Sequence, residues 1–409
     1  MTSAQSPLPA SPSPLLERSA WLLLCVFVFT MPWEKSVLIP GVGSIARLAG
    51  LAAFVLGVLA VAQRRALRPP NLVLVLAALF VAWSAATWGW SLDRAATVAK
   101  VFTLAQVWGV LWLLWEFCRS AQRHRWLLAA YLAGAVAGSS IAIVRYAMHM
   151  QTSYRRYAAT GFDPNDFGLM LVLALPMALY LSLEFRGHSR WLCYAAGAIV
   201  IAAILLTASR TALVASFASF AFVAWTWRRA DLRHRAASVA LLAFLLLSLF
   251  QFAPAPSRSR LATLPEEIAR GSINSRKQIW KSGARVWLEH PWLGVGAGAY
   301  PEAVRPQLGT PSVPGARYVA HNTFLSVLVE GGIVGLAVWG ALFLCLAVFA
   351  WMLPAEERAF SAVLLGVWLV AVSMVTWEHY KGTWLVFGLI MVAWQRAWLP
   401  SRPARGGHS

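Results

Sequence analysis

Aspartate is scarce in this 409-residue chain: Asp93, Asp163, Asp166 and Asp231 are the whole set, and no two form an Asp-x-Asp pair. A divalent-metal site of the kind that grips sugar diphosphates through carboxylates is therefore not expected, and arginine would have to neutralise any diphosphate instead. Cysteine is equally sparse. Cys25, Cys118, Cys193 and Cys345 lie in or at the ends of apolar runs without Cys-x-x-Cys spacing, which argues against zinc and disulfide staples and for packed free thiols. Acidic residues number 16 against 35 Lys and Arg, a formal charge of +19 that attracts phosphates or acidic sugars. The basic residues are scattered between hydrophobic runs rather than gathered in a soluble basic domain, so no nucleic acid partner is expected. A basic n-region is missing too: Ser3 to Pro14 is rich in Ser and Pro, so residues 1–18 read as a disordered cytoplasmic tail and the first apolar run as a retained span.

Apolar sequence is what the chain has in excess, at 59% hydrophobic with 22 Trp. Successive windows of about 20 apolar residues match the hydrocarbon thickness of a bilayer. The expectation is an all-α polytopic membrane protein with about twelve transmembrane helices, near 19–38, 45–62, 71–90, 97–117, 126–147, 165–185, 190–207, 210–227, 236–252, 322–350, 359–377 and 380–398. Spans one to nine then occupy 19–252, a long loop 253–321, the last three spans 322–398 and a second cytoplasmic tail 399–409.

Alternate connections concentrate arginine: Arg64, Arg65 and Arg68; Arg119, Arg123 and Arg125; Arg186 and Arg190; Arg228, Arg229, Arg233 and Arg235; Arg402 and Arg405. If spans alternate, these share one side, which the positive-inside rule makes cytoplasmic, with both termini inside and the long loop outside. That loop is itself basic (Arg258, Arg260, Arg270, Arg276, Lys277, Lys281, Arg285, Arg305 and Arg317 among others), and Arg145, Arg155, Arg156 and Arg210 fall on the same outer side. Cations kept where the rule disfavours them point to an anionic ligand, or more simply to lipid headgroups.

Ser272 to Leu288 reads as a helix capped by Ser272 or Asn274, with Ile279, Trp280, Gly283, Val286 and Trp287 on one face and Lys277, Lys281 and Arg285 on another. Arg276 falls within the apolar stripe, where a solvated charge does not belong, and so is expected to reach a buried anion or carboxylate. Arg210 interrupts an apolar stretch, a costly placement unless the residue is paired or faces a wet cavity. Arg155 and Arg156 sit between Tyr154 and Tyr157, suited to holding phosphate and stacking on sugar, while Asp163-Pro164-Asn165 is explained by turn and helix-start chemistry alone. Gly294-Val295-Gly296-Ala297-Gly298 reads as a tight turn, since it lacks the strand–turn–helix setting of a phosphate loop. His321 is the acid–base candidate: Asn322 or Thr323 can cap the next helix, and the helix dipole and nearby Arg residues would lower the imidazole pKa and keep it neutral. Glu330, about two and a half turns further on, is a candidate to pair with an Arg or accept from a sugar hydroxyl.

Ser209-Arg210-Thr211, Arg276 with Trp280, Pro291-Trp292-Leu293-Gly294-Val295-Gly296-Ala297-Gly298, and His321-Asn322-Thr323-Phe324 with Glu330-Gly331-Gly332 and Gly335 follow one another around the long loop. In this order the chain resembles the O-antigen ligase and polymerase superfamily, and most closely the lipopolysaccharide O-antigen ligases. The resemblance implies a GT-C-like glycosyltransferase of the bacterial inner membrane, acting on the periplasmic face without metal or other cofactor. It would move O-antigen polysaccharide from undecaprenyl diphosphate to lipid A–core with inversion. It further implies that His321 takes the acceptor proton, that Arg210 and Arg276 hold the departing diphosphate, and that Arg145, Arg155, Arg156, Asn322 and Glu330 contact substrate. An O-antigen polymerase or a protein O-oligosaccharyltransferase of the same superfamily are the nearer alternatives. A transporter of an anionic solute is the alternative of another class, and it would call for an internal repeat that the sequence does not show.

Overall fold

The computed structural model describes residues 14–41, 43–152, 156–251, 276–308 and 318–398. Helices account for nearly all of them: α1 (Pro14–Thr30), α2 (Ile45–Arg64), α3 (Leu72–Ala86), α4 (Arg94–Phe117), α5 (Ala121–Ala147), α6 (Pro164–Val172), α7 (Ala174–Glu184), α8 (His188–Thr207), α9 (Arg210–Ser219), α10 (Ala221–Thr226), α11 (Leu232–Gln251), α12 (Arg276–Glu289), α13 (Tyr300–Val304), α14 (Thr323–Trp351), α15 (Ala355–Val372) and α16 (Lys381–Trp398). A two-residue hairpin, β1 (Leu38–Ile39) and β2 (Gly43–Ser44), joins α1 to α2 through a short 3₁₀ turn. Helix α1 begins at Pro14, inside the stretch expected as tail, whereas most of that stretch and residues 399–409 lie outside the described residues.

Among the described residues nine helices are long and apolar enough to cross a membrane, and the chain is a polytopic membrane protein. The expected span at 210–227 differs: α9 and α10 are separate short helices that part at Phe220. Ser216 and Ser219 donate their hydroxyls back to the Ala212 and Ala215 carbonyls at 2.7 and 3.1 Å, a pattern that bends helices. Likewise α6 and α7 divide after Val172, where Pro176 has no N–H to give that carbonyl and its ring crowds it. The windows at 359–377 and 380–398 hold helices α15 and α16, which are not among the nine.

Ion pairs gather the arginine-rich connections at one end of the bundle. Arg64 and Arg119 converge on the buried Glu116, Arg125 meets Glu184, Arg190 meets Asp231, and Arg229 meets Glu356. The opposite end holds the β hairpin, the starts of α4, α6, α9, α14 and α16, and the small loop domain. There Lys381 pairs with Glu34, and Asp166 accepts from Trp377 and Tyr380.

Helix α14 is the element that ties the loop domain to the bundle. Gly332 leaves helical geometry (φ 65°, ψ −167°) and breaks the ladder. The amides of Ile333 and Val334, which would normally donate to Val329 and Glu330, donate instead to the Pro291 and Trp292 carbonyls at 2.9 and 3.4 Å. The freed Val329 and Glu330 carbonyls accept from Val295 and Gly296, both at 3.0 Å, and the Trp83 indole takes the Gly331 carbonyl at 2.9 Å. An unmet buried backbone group costs about 1–3 kcal/mol, so the loop is what makes this break tolerable in a membrane helix. Only glycine fits at 332: a Cβ there would stand 2.1 Å from the Trp292 carbonyl oxygen. The tight-turn reading of Gly294 to Gly298 agrees with this stitching, since the amides of Val295, Gly296 and Ala297 all have partners within the protein.

Candidate functional site

Helix α12 lies on α14 and α13 with the amphipathicity the sequence implied. Val286 and Gly283 are buried, Ile279, Trp280 and Trp287 partly so, and Lys277, Lys281 and Arg285 are exposed. Its inner face joins Val295, Ala299, Tyr300, Val304, Leu308, Ala320 and Val329 in a small core separate from that of the bundle. The Trp280 indole donates to the Ala320 carbonyl at 2.8 Å, fixing the chain immediately before His321. The cap residues expected at Ser272 and Asn274 lie outside the described residues.

His321 takes a left-handed backbone (φ 48°) that turns the chain into α14. Asn322 then caps the helix, its carbonyl oxygen accepting from Leu325 N at 2.9 Å while its amide donates to the Ser373 carbonyl at 3.2 Å. Thr323 adds a bond to the Val375 carbonyl at 2.9 Å and accepts from Trp377 N at 2.8 Å. Asn322 is thus a structural clamp between α14 and the connection after α15, and both of its amide atoms are engaged.

The imidazole of His321 is half-buried. Burial and the nearby Arg276 guanidinium hold its pKa below the usual histidine value, with Asp166 and Asp163 pulling the other way. The neutral imidazole expected from the sequence follows, although burial acts more strongly than the neighbouring charge. Arg276 is itself 9% exposed, donating to the Met374 sulfur at 3.6 Å; burial lowers its pKa and the Asp163 carboxylate raises it. The carboxylate that the apolar-stripe placement called for is therefore Asp163.

Asp163 also caps α6, accepting from Asn165 N at 2.8 Å, so its structural role is as the sequence implied. Asp166 accepts from the Trp377 indole at 3.2 Å and the Tyr380 hydroxyl at 2.8 Å. Lys35 reaches the same Tyr380 hydroxyl at 3.5 Å and lies over the Phe162 and Tyr380 rings. Asp163, Asp166, Trp377 and Tyr380 were not singled out in the sequence as site residues, because turn chemistry already accounted for the two aspartates.

Arg156 is 5% exposed and bridges the end of α8 to the start of α6, donating to the Thr207 carbonyl at 2.7 Å and to the Asn165 side chain at 2.8 Å. Arg145 stands at the end of α5 beside this loop, 3.4 Å from the Thr160 hydroxyl. Arg155 lies outside the described residues. Arg210 opens α9 behind the Ser209 cap and lines a cleft with Ile204, Leu205, Leu213 and Leu249; no contact among the described residues joins it to His321. Glu330 sits elsewhere. It is 5% exposed and ion-paired with Lys100, which also pairs with the fully buried Glu378. Its partner is a lysine rather than the expected arginine. Lys100 was legible in principle, as a lone cation inside an apolar window. No group of three or more His, Cys, Asp or Glu suited to a metal occurs among the described residues. The four cysteines are free thiols, three of them buried.

Residues 195–340 match the sequence model of a family described as O-antigen ligase. An O-antigen ligase of Pseudomonas aeruginosa strain PAO1 is 34% identical over 125 residues, which is 31% of this chain and 25% of that protein. The chain thus matches about a quarter of the length of this curated relative. The resemblance drawn from the motifs between Ser209 and Gly335 is borne out: residues 195–340 are an O-antigen ligase family region, and they include α9, α12, His321 and the broken part of α14.

Proposed function

We propose that the protein is an O-antigen ligase, transferring O-antigen polysaccharide from undecaprenyl diphosphate to lipid A–core at the outer face of the bacterial inner membrane. The observation that carries this reading is the setting of His321. A half-buried imidazole kept neutral beside the inward Arg276 stands at the end of the bundle opposite the arginine-rich connections, within the family-matched region. In this reading the arginine-rich end is cytoplasmic, the twelve apolar windows make twelve GT-C-like crossings, and residues 253–321 form the periplasmic loop.

His321 accepts the proton of an acceptor sugar hydroxyl as the oxygen attacks the anomeric carbon. The bond from that carbon to the diphosphate breaks with inversion, and the leaving undecaprenyl diphosphate gains charge. Arg276, already buried and oriented, stabilises that charge without reorganising, and Arg210 supplies a second cation at the start of α9. Arg145, Arg155 and Arg156 are placed for phosphates of donor or acceptor, although Arg156 must keep its bonds to Thr207 and Asn165 to hold the loop. Asn322 and Glu330 act through structure, as helix cap and ion-pair partner, rather than by touching substrate.

The test is reconstitution. Purified protein, donor lipid and lipid A–core, without added metal or nucleotide, should yield lipopolysaccharide bearing long polymer. Growth of polymer on the carrier lipid with no transfer to core would instead assign a polymerase.

A further inference from the structure

A cavity of about 380 Å³ opens between α1, α2 and α4, within the size range of about 300–1,000 Å³ typical of small-ligand sites. Its walls are apolar, with Phe27, Leu51, Phe54, Phe102, Val110 and Leu113 among them. Gly50 and Gly109 keep it open: a Cβ at either would stand 2.9 or 3.2 Å from the Phe27 or Phe54 ring. From Phe102 to Leu113 the slot runs eleven residues along α4, about 16 Å at the helical rise and so roughly half the hydrocarbon thickness of a bilayer.

Charge lies at one end of the slot. Arg47, in the first turn of α2, stands over the Phe102 ring, and Lys381 begins α16 with Glu34 as its ion-pair partner. These two cations face a single carboxylate at the mouth, and the mouth is at the same end of the bundle as His321. The residue before Lys381, Tyr380, donates to Asp166, whose carboxylate acts on the His321 imidazole.

A slot one leaflet deep, one helix gap wide and cationic at its outer mouth has the form of a single-chain lipid phosphate. We infer that this slot binds the hydrocarbon chain of the polyprenyl carrier, with Arg47 and Lys381 facing its phosphate end. The inference rests on the ligase reading for the identity of the lipid, and it separates the binding of donor from that of the acceptor, whose several acyl chains cannot share one slot.

The test uses the full-length protein in detergent, titrated by native mass spectrometry with a polyprenyl monophosphate and, separately, with phosphatidylglycerol. Ala105→Phe, at an exposed alanine lining the slot, should weaken polyprenyl phosphate binding by about tenfold or more. Arg47→Gln should weaken it similarly, and Leu59→Phe, exposed on α2 outside the slot, should leave it unchanged. Equal binding of phosphatidylglycerol would identify an ordinary bilayer-lipid site and overturn the inference, as would unchanged affinity in both slot variants. His321→Ala should keep lipid binding while losing transfer. If wild-type protein binds the polyprenyl lipid in the slot yet transfers nothing to lipid A–core, the ligase reading fails and the slot stands. Transfer with unchanged slot variants gives the reverse.

Discussion

The Trp280 indole and the Ala320 carbonyl are joined by a 2.8 Å hydrogen bond that spans the loop domain. Through it, the helix that carries Arg276 also fixes the residue preceding His321. The cation and the imidazole are consequently placed by one rigid unit, and their relative position does not depend on the intervening chain.

Trp280→Phe removes that donor while keeping most of the ring. It should cost about 1 kcal/mol of stability, the usual net worth of one hydrogen bond, but lower ligation disproportionately because His321 loses its anchor. Comparing detergent-denaturation midpoints with transfer rates separates the two effects, and equal proportional losses would reject the positioning role.

His321→Ala should abolish ligation while the protein still inserts and folds normally, since the helix cap is provided by Asn322. Full activity in this variant would remove the imidazole from the mechanism.

The pH dependence follows from the sign of the His321 shift. Its pKa lies below the ordinary 6.5, so the imidazole stays neutral and competent as a base while pH falls through 6.5, and activity should decline only below that value. Arg276→Gln removes one of the causes that lower the pKa and should move this acidic limb to higher pH; Asp166→Asn removes an opposing charge and should move it lower. Rates of transfer across a pH series in the three proteins check the order.

Arg276→Lys keeps the charge but not the planar fork. Transfer should fall by about tenfold or more if the guanidinium grips a diphosphate through two bonds, and a rate equal to wild type would exclude bidentate recognition there.

Lys100→Met would leave Glu330 and Glu378 buried without their shared cation. Breaking a buried ion pair in this way should destabilise the protein by about 3–5 kcal/mol, read as loss of folded protein in detergent. Replacing both carboxylates as well, as Glu330→Gln and Glu378→Gln, should restore much of that loss.

Local pattern and composition by themselves determined the membrane class, most helix positions, the amphipathic face of α12, the inward turn of Arg276 and the capped helix start after His321. Each of these depends on residues close in sequence: apolar windows the length of a bilayer, a 3.6-residue period, a cap beside its helix. The family resemblance was legible for the same reason, being an order of short motifs. Tertiary structure alone decided the rest. It gave Glu330 to Lys100, 230 residues away, rather than to an arginine. It also turned Asp163 and Asp166 from simple turn residues into the carboxylates facing Arg276 and His321. It broke α14 at Gly332 because a loop 40 residues earlier could supply the missing backbone partners. Burial, more than the neighbouring charge, set the state of His321. Partner choice of this kind depends on which helix ends converge in space, and no local pattern in the sequence encodes that convergence.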